Sequence, residues 1–205
     1  MSQIALPLAP GGADGPTRIV VGNANRAALE AMAAAATWPF RTAILFGPPR
    51  SGKSLIARWF AESGVGEAID DADRMDETEL FHRWNRAQES GVPLLLTSSA
   101  AEGAWTIRLP DLASRLGAAL HLQIGAPDDA MLAELIELHA EQRGIVLGPD
   151  ACAYLVPRAE RSHMGVERLV EAIDRISLER KQAPTLSVWR DALEELMGPQ
   201  EPRLF

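Results

Sequence analysis

Residues 47–54 carry the side chains and the spacing that bind phosphate. The segment reads Gly-Pro-Pro-Arg-Ser-Gly-Lys-Ser and fits the pattern G-x-x-x-x-G-K-[ST] at every fixed position. Glycines let successive backbone N–H groups converge on phosphate oxygens, and the N-terminus of a following helix favours negative charge. In this pattern Lys53 reaches the β- and γ-phosphates, and the Ser54 hydroxyl binds Mg²⁺. The segment therefore predicts a nucleotide site.

The elements on either side of the segment agree with this prediction. Residues 42–46 form a short apolar run typical of a buried strand, and residues 55–60 continue with helical periodicity. A strand, a loop and a helix in this order present the loop at the carboxyl end of the strand. We expect the loop and the residue after it to contact the nucleotide, namely Gly47, Pro48, Pro49, Arg50, Ser51, Gly52, Lys53, Ser54 and Leu55.

Two acidic residues follow the next strand candidate. Residues 65–69 are a weak candidate that ends at Asp70 and Asp71. Ligands of open α/β sheets gather at the carboxyl ends of the strands, where a carboxylate can hold Mg²⁺ through its water shell. We expect Asp70 to bind the metal ion together with Ser54 and Asp71 to lie at the nucleotide. Capping of the following turn is an equal alternative for Asp71.

Hydroxyl side chains follow a third strand candidate. Residues 92–96 are a buried apolar run, and Thr97, Ser98 and Ser99 come directly after it. A hydroxyl at this place can sense a γ-phosphate or orient water, and we assign Ser98 to the nucleotide site. Serines that form an ordinary turn at the end of a strand are the alternative.

Composition excludes several classes of protein. The chain has 205 residues with a formal net charge of -8, which argues against a surface that coats nucleic acid. It contains no apolar stretch long enough to span a bilayer and no N-terminal basic region followed by an apolar core, so we expect a cytoplasmic protein without membrane contact. The one cysteine, Cys152, lies among apolar residues and should be a buried structural thiol.

The pattern of apolar residues changes near residue 126. Before this point strand candidates alternate with helices, as in an α/β domain with a parallel sheet. After it come four amphipathic helices that begin near residues 127, 149, 163 and 185. We predict a flexible tail at 1–16, an α/β nucleotide-binding domain at 17–126 and a small all-helical lid domain at 127–205.

These features together resemble the AAA+ ATPases and, within them, the DnaA branch. Residues 19–28, Ile-Val-Val-Gly-Asn-Ala-Asn-Arg-Ala-Ala, are similar to the segment of DnaA relatives that packs around adenine. Residues 109–116, Leu-Pro-Asp-Leu-Ala-Ser-Arg-Leu, are similar to the block that carries their arginine finger. Residues 3–8, Gln-Ile-Ala-Leu-Pro-Leu, fit the N-terminal signature of the Hda family, which consists of short DnaA homologues that lack the duplex-binding domain.

The resemblance implies specific partners and roles. Hda proteins bind the DNA-loaded β sliding clamp of DNA polymerase III and stimulate hydrolysis of the ATP held by DnaA, which restrains overinitiation of replication. For this chain the resemblance implies ADP or ATP with Mg²⁺, Val20 and Val21 at the adenine, and Arg115 as an arginine finger that acts in trans. It places association at the replisome and nucleoid, with contact to DNA through the loaded clamp, and leaves homo-oligomerisation open. The clamp-binding residues that it implies are Gln3, Ile4, Leu6, Pro7 and Leu8.

Three departures from the AAA+ pattern affect what we expect. Fifteen residues separate Ser54 from Asp70, too few for the strand and helix normally present there, so the parallel sheet should lack one edge strand. Arg168 is the nucleotide-contacting arginine of the lid that the resemblance implies, but it lies one position, or about 100° of helix, after the usual place. Asp71 also stands where many active AAA+ enzymes have a longer glutamate. We therefore expect tight ADP binding with weak or no intrinsic ATPase activity.

Other functions stay open at this point. A stand-alone P-loop ATPase or small-molecule kinase would use the same phosphate loop with an acceptor pocket. A helicase-loader-like AAA+ protein would bind single-stranded DNA in a basic channel with stacking aromatic residues. For Arg115 the alternative is an ordinary salt bridge on a solvated helix, and for residues 3–8 it is a terminus without a partner.

Overall fold

A computed structural model describes residues 18–198 of the chain. These residues divide into two compact units. The first unit contains Arg18, Ile19 and Asn25–Gly125, and the second contains Val20–Ala24 and 126–198. The short segment Val20–Ala24 thus belongs to the helical unit, although residues of the α/β unit flank it on both sides in the sequence.

The first unit is built on a sheet of four parallel strands. The strands are β1 (Thr42–Phe46), β2 (Glu67–Ile69), β3 (Leu94–Ser98) and β4 (Leu120–Gln123). Their order across the sheet is β2-β3-β1-β4, and all three pairings are parallel. The central strands β1 and β3 are buried at every residue, which explains their nearly continuous apolar sequences. The α/β class and the short parallel sheet predicted from the sequence are confirmed.

Four α-helices belong to this unit. They are α1 (Arg26–Met32), α2 (Lys53–Glu62), α3 (Glu77–Ser90) and α4 (Pro110–Gly117). One core cluster joins Ile44 of β1 and Leu96 of β3 to Leu80 and Trp84 of α3 and to Leu112 of α4. The N-cap of α3 is Asp76, whose Oδ1 accepts hydrogen bonds of 3.0 Å from the backbone N–H groups of Thr78 and Glu79. This cap fixes the point at which the chain turns from the β2 end of the sheet into α3.

Helix α1 is shorter than the alanine-rich sequence predicts. The sequence predicts a helix over residues 25–36, whereas α1 ends at Met32 and a 3-10 helix follows at Ala35–Thr37. The cause is Trp38, whose ring stacks on Phe60 at 5.5 Å and whose Nε1 donates to the carbonyl oxygen of Ala31 at 2.9 Å. The buried indole draws the chain out of the helix because its packing outweighs the helix propensity of alanine.

The second unit contains four helices, and its described residues include no strand. The helices are α5 (Asp129–Gln142), α6 (Pro149–Leu155), α7 (His163–Arg180) and α8 (Leu186–Met197). Helix α7 packs against both α5 and α8 and buries Val166, Leu169, Val170 and Ile173. Cys152 of α6 is buried and forms no disulfide, and its thiol donates to the Glu137 carboxylate at 3.8 Å, as expected for a structural thiol. Across residues 18–198, no helix combines the length and apolar content that crossing a membrane requires.

The segment Val20–Ala24 is fixed to the start of α5. The Asn23 side chain donates to the carbonyl oxygen of Ala126 at 3.2 Å and accepts from the backbone N–H of Asp128 at 2.9 Å. Gly22 lies so close to Met131 that a Cβ at this position would meet the Met131 side chain at 2.7–2.8 Å. These contacts hold Gly22 and Asn23 against the start of α5, and Val20 and Val21 belong to the same helical unit.

Candidate nucleotide-binding site

The phosphate loop connects the carboxyl end of β1 to the amino end of α2. Within it Arg50 and Gly52 adopt positive φ angles of 64° and 88°, and the Ser51 N–H bonds the Pro48 carbonyl at 3.3 Å. When residues in right-handed and left-handed backbone conformations alternate, their successive N–H groups point to one side and form a concave anion site. The first N–H groups of α2, a helix of ten residues, have no partners inside the helix and extend this site.

Glycine is required at both fixed positions of the loop for different reasons. A Cβ on Gly47 would lie 2.9 Å from the Ser51 Oγ and 3.0 Å from the Ile124 Cβ, so no space for a side chain exists. Gly52 has open space around it, but its φ of 88° strains any residue with a Cβ. The loop thus keeps its shape through steric limits as well as through hydrogen bonds.

Two buried polar side chains in the loop can donate hydrogen bonds to a ligand. The Lys53 Nζ donates to the carbonyl oxygens of Gly47 and Pro48 at 2.7 and 3.0 Å. Burial lowers the pKa of Lys53, and the nearby carboxylates of Asp71, Asp70 and Asp73, in that order, partly oppose this shift. Among the described residues, the Ser51 Oγ is one of three buried side-chain polar atoms without a hydrogen-bond partner. A phosphate group fits this loop because it supplies the acceptor oxygens that a buried ammonium and a buried hydroxyl both need.

The acidic residues lie beside the loop because of the order of the strands. Strand β2 ends at Ile69 next to β3, and β3 is paired with β1, which leads into the loop. The Thr97 hydroxyl, at the end of β3, donates to the Asp70 carboxylate and accepts from the Asp71 N–H at 2.9 Å. This one hydroxyl fixes both aspartates, and Asp71 is held with a left-handed φ of 46°.

Ser54 and Asp70 line one open cavity of about 320 Å³. Their hydroxyl and carboxylate are hard oxygen donors, which is the ligand type that Mg²⁺ prefers together with water and substrate phosphates. Within residues 18–198 no group of three or more His, Cys, Asp or Glu side chains could hold a metal ion. A metal ion at this site would therefore need water and phosphate oxygens as further ligands. The pair therefore fits a magnesium ion that is shared with a bound nucleotide.

The turn after β3 is held by Asp73. Its carboxylate accepts from the Ser99 N–H at 3.0 Å, from the Ser99 hydroxyl at 2.8 Å and from the Ala100 N–H at 3.3 Å. Burial alone raises the pKa of Asp73, but these hydrogen bonds outweigh burial and hold the pKa below the ordinary aspartate value. The Ser98 hydroxyl is fully buried and accepts from the same Ala100 N–H at 3.1 Å.

Arg115 lies near the amino end of β1, opposite the end that leads into the phosphate loop. It is in the last turn of α4, two residues before the end of that helix, and its guanidinium stacks on Phe81 and Trp84 of α3. The Trp84 Nε1 in turn donates to the Oγ1 of Thr42, the first residue of β1, at 3.1 Å. We call the carboxyl ends of β1, β2 and β3 the phosphate edge and the region of Thr42, Trp84 and Arg115 the arginine edge.

No family model matches the chain, but individual proteins do. An uncharacterized protein of Haemophilus influenzae is 32% identical over 114 residues, which are 54% of this chain and 49% of that protein. The chain thus spans about half the length of this curated relative.

Solved structures show the fold. Domain III of the Thermotoga maritima replication initiation protein DnaA superposes with a TM-score of 0.71 at 16% identity, over 88% of this chain and 95% of that domain. The Thermotoga maritima RuvB Holliday junction branch migration motor has a TM-score of 0.60 at 17% identity, over 85% of this chain and 68% of RuvB. The chain has the DnaA-like AAA+ fold. AMPPCP-bound DnaA from Aquifex aeolicus shares this AAA+ fold with a TM-score of 0.60 at 16% identity, over 80% of this chain and 66% of that one.

The AAA+ fold brings together the predicted residues of the α/β unit. The phosphate loop, Asp70, Asp71 and Ser98 all lie at the phosphate edge. Val20, Val21 and Arg168 belong to the helical unit, where Arg168 is exposed on α7. Their assignment to the nucleotide stays a prediction. The predicted clamp-binding residues lie outside the described residues; they are Gln3, Ile4, Leu6, Pro7 and Leu8.

Three residues that position the two edges carry no assigned role in the sequence analysis. Thr97 is there only one of several hydroxyls after β3, and Asp73 has no assigned role, although both fix the phosphate edge. Asn85 of α3, whose Oδ1 accepts from the Arg115 NH1 at 2.5 Å, gave no signal. The partners in these contacts are 26 to 30 residues apart in the sequence, so no local pattern connects them.

Proposed function

We propose that this chain is an Hda-like regulator of replication initiation. In this proposal it binds an adenine nucleotide, in the resting state ADP with Mg²⁺, at the phosphate edge. It binds the DNA-loaded β sliding clamp of DNA polymerase III through residues 3–8. It stimulates the ATPase activity of DnaA through Arg115, and thereby prevents overinitiation of replication in the cytoplasm.

The geometry of the phosphate loop supports nucleotide binding. The concave run of N–H groups, the buried Lys53 ammonium and the unpartnered Ser51 hydroxyl can all donate to an anion with several acceptor oxygens. Lys53 can exchange its two carbonyl partners for phosphate oxygens without leaving the loop. Ser54 and Asp70 would hold Mg²⁺, which supplies positive charge against the phosphates when it is bound. AMPPCP is bound by a DnaA of the same fold.

The observation that carries the regulatory part is the position of Arg115. Its guanidinium stacks on Trp84, which bonds the first residue of β1, whereas the phosphate loop begins after the last residue of β1. Four residue steps of strand separate these ends by about 13 Å. A half-buried arginine so far from the chain's own loop is suited to a phosphate on another molecule. A guanidinium supplied in trans stabilises the negative charge that develops during phosphoryl transfer.

The surroundings of Asp71 support low intrinsic ATPase activity. Its carboxylate forms an ion pair of 3.3 Å with Arg74, and its side chain is one carbon shorter than glutamate. A carboxylate that is paired in this way is poorly placed to take a proton from an attacking water, because general bases need direct or one-water contact with that proton. The chain would then retain ADP and act by lending Arg115 to DnaA.

The test is ATP hydrolysis by purified DnaA in the presence of clamp loaded on DNA. Adding this chain should increase the hydrolysis rate, and Leu6→Ala combined with Leu8→Ala should abolish both clamp pull-down and stimulation while nucleotide affinity stays unchanged. No increase in hydrolysis with the intact chain would contradict the proposal. Rapid phosphate transfer to a metabolite by the isolated chain would favour the small-molecule kinase instead, and tight binding of single-stranded DNA would favour the helicase loader.

A further inference from the structure

Three side chains of α3 surround the guanidinium of Arg115. Phe81, Trp84 and Asn85 have the i, i+3 and i+4 spacing that places side chains on one face of a helix. The Arg115 Cζ lies 4.7 Å from the ring centroid of Phe81 and 4.6 Å from that of Trp84. The Asn85 Oδ1 accepts a hydrogen bond of 2.5 Å from NH1. We call these three residues of α3 the Arg115 platform.

The Arg115 platform is rigid because it belongs to the core of the α/β unit. Trp84 is 5% exposed, and its Nε1 bonds the buried Thr42 of β1 at 3.1 Å. Phe81 packs against the same apolar cluster that contains Leu80 and Leu112. A side chain that stacks on such a base has lost its rotational freedom before any partner arrives.

The contacts leave most of the donors of Arg115 available. The guanidinium has five N–H groups, the rings contact its faces, and Asn85 uses one N–H at its edge. Stacked faces and free edges are the arrangement in which a guanidinium can still form paired hydrogen bonds with phosphate oxygens. Arg115 is half-buried, so part of its side chain is exposed at the surface of the unit.

We propose that Phe81, Trp84 and Asn85 are positioning residues that hold Arg115 in the orientation in which it meets the γ-phosphate of ATP on a partner molecule. This inference rests on the proposed trans role of Arg115. Positioning before contact removes the entropy cost of ordering a long side chain in the transition state. It predicts that the Arg115 platform affects the maximal stimulated rate of hydrolysis more than it affects binding between the two proteins.

The first experiment observes the guanidinium directly in the isolated full chain. In ¹H–¹⁵N spectra of arginine side chains, the Arg115 Nε–H signal, assigned by its loss in Arg115→Lys, should be displaced by the ring currents of both aromatic residues. Phe81→Leu should move the signal toward the position of exposed arginines, and Phe81→Tyr, which keeps a ring, should not. An undisplaced signal in the unmodified chain would refute the stacking that the inference requires.

The second experiment measures DnaA hydrolysis as the concentration of the chain is raised. Phe81→Leu and Asn85→Ala should each lower the maximal stimulated rate about tenfold and leave the half-saturating concentration within about twofold. Asn85→Asp, which keeps the acceptor, should restore the rate, and Arg86→Ala removes an exposed arginine of the same helix as the matched control. Melting temperatures of all variants identify any that fail to fold.

The outcomes separate this inference from the proposed function. If Arg115→Ala abolishes stimulation while Phe81→Leu and Asn85→Ala stimulate like the unmodified chain, the finger role stands and the positioning role is wrong. If Arg115→Ala stimulates fully, both are wrong. A higher maximal rate in Phe81→Leu would show that stacking withholds Arg115, and it would also overturn the inference.

Discussion

The phosphate edge and the arginine edge of the α/β unit handle charge in opposite ways. At the phosphate edge the chain presents backbone N–H groups and a buried ammonium in a loop shaped by Gly47 and Gly52. At the arginine edge it presents one guanidinium on a base of aromatic side chains. The first arrangement is suited to surround an anion, whereas in the proposed function the second extends a cation toward one.

This difference shows what each role requires of the surrounding structure. A site that surrounds a phosphate can keep a destabilising group such as the desolvated Lys53, because ligand binding offsets its cost. A cation that is extended to a partner needs neighbours that are already packed when the partner arrives. Substitutions at the phosphate edge should therefore affect binding first, and substitutions at the arginine edge should affect stability first.

The largest expected effect is on stability at the arginine edge. Trp84→Ala should lower the free energy of unfolding by about 3 to 5 kcal/mol, because it removes a buried ring and leaves a cavity under Phe81 and Arg115. Trp84→Phe keeps a ring and loses the bond to Thr42, so it should cost about 1 kcal/mol. Urea unfolding followed by far-UV circular dichroism measures both. If both substitutions lower the free energy of unfolding by the same small amount, the Arg115 platform is not part of the core.

The corresponding substitution at the phosphate edge is Lys53→Met. Nucleotide affinity should fall about 100-fold, or about 2.7 kcal/mol, because the phosphates lose their charged donor. The free energy of unfolding without nucleotide should stay constant or rise, since the folded state no longer desolvates an ammonium whose pKa it lowers. Isothermal titration with ADP and unfolding without ligand test the two parts. Arg86→Met removes an exposed cation of α3 that does not line the cavity of Ser54 and Asp70, and this control should change neither.

A smaller effect is expected at the hydroxyl that joins the two aspartates. Thr97→Val keeps the shape of the side chain but leaves the Asp71 N–H without its acceptor, which should cost about 1 to 2 kcal/mol of stability. Magnesium-dependent nucleotide affinity should fall with it, because Asp70 loses the bond that orients its carboxylate. Thr97→Ser retains the hydroxyl and should preserve both. Unchanged binding in Thr97→Val would show that Asp70 needs no such support.

The smallest effect concerns acid stability. Because the folded state lowers the pKa of Asp73, this carboxylate stabilises the fold above a pH of about 4, and the contribution is lost as the pH falls through the folded pKa. Asp73→Asn should therefore be less stable at neutral pH by less than about 1 kcal/mol, and the difference should disappear in acid. Urea midpoints at several pH values measure it. A difference that grows in acid would contradict the assigned direction.

Much of the fold followed from local sequence. The alternation of apolar strands and helices predicted the parallel sheet, and the glycine spacing predicted the loop between β1 and α2. Asp70 could be placed because carboxyl ends of parallel strands share one edge. These inferences needed only residues that are neighbours in sequence, together with one topological rule.

The remainder depended on packing between distant segments. The early end of α1 is caused by Trp38, which stacks on Phe60, a residue 22 positions further along the chain and beyond β1 and the phosphate loop. The contacts of Arg115 with α3, and of Asp73 with the turn after β3, likewise join separate elements. Propensity and periodicity carry no information on such pairs, since they describe one element at a time.

If the two edges act on different nucleotides, Arg115→Ala should separate their functions. ADP affinity of the variant and its stimulation of DnaA hydrolysis with DNA-loaded clamp are measured side by side. We expect unchanged ADP affinity and a stimulated rate at least about 10³-fold lower, the range found for guanidinium groups supplied in trans. A variant that loses ADP affinity, or one that stimulates DnaA like the unmodified chain, would contradict it.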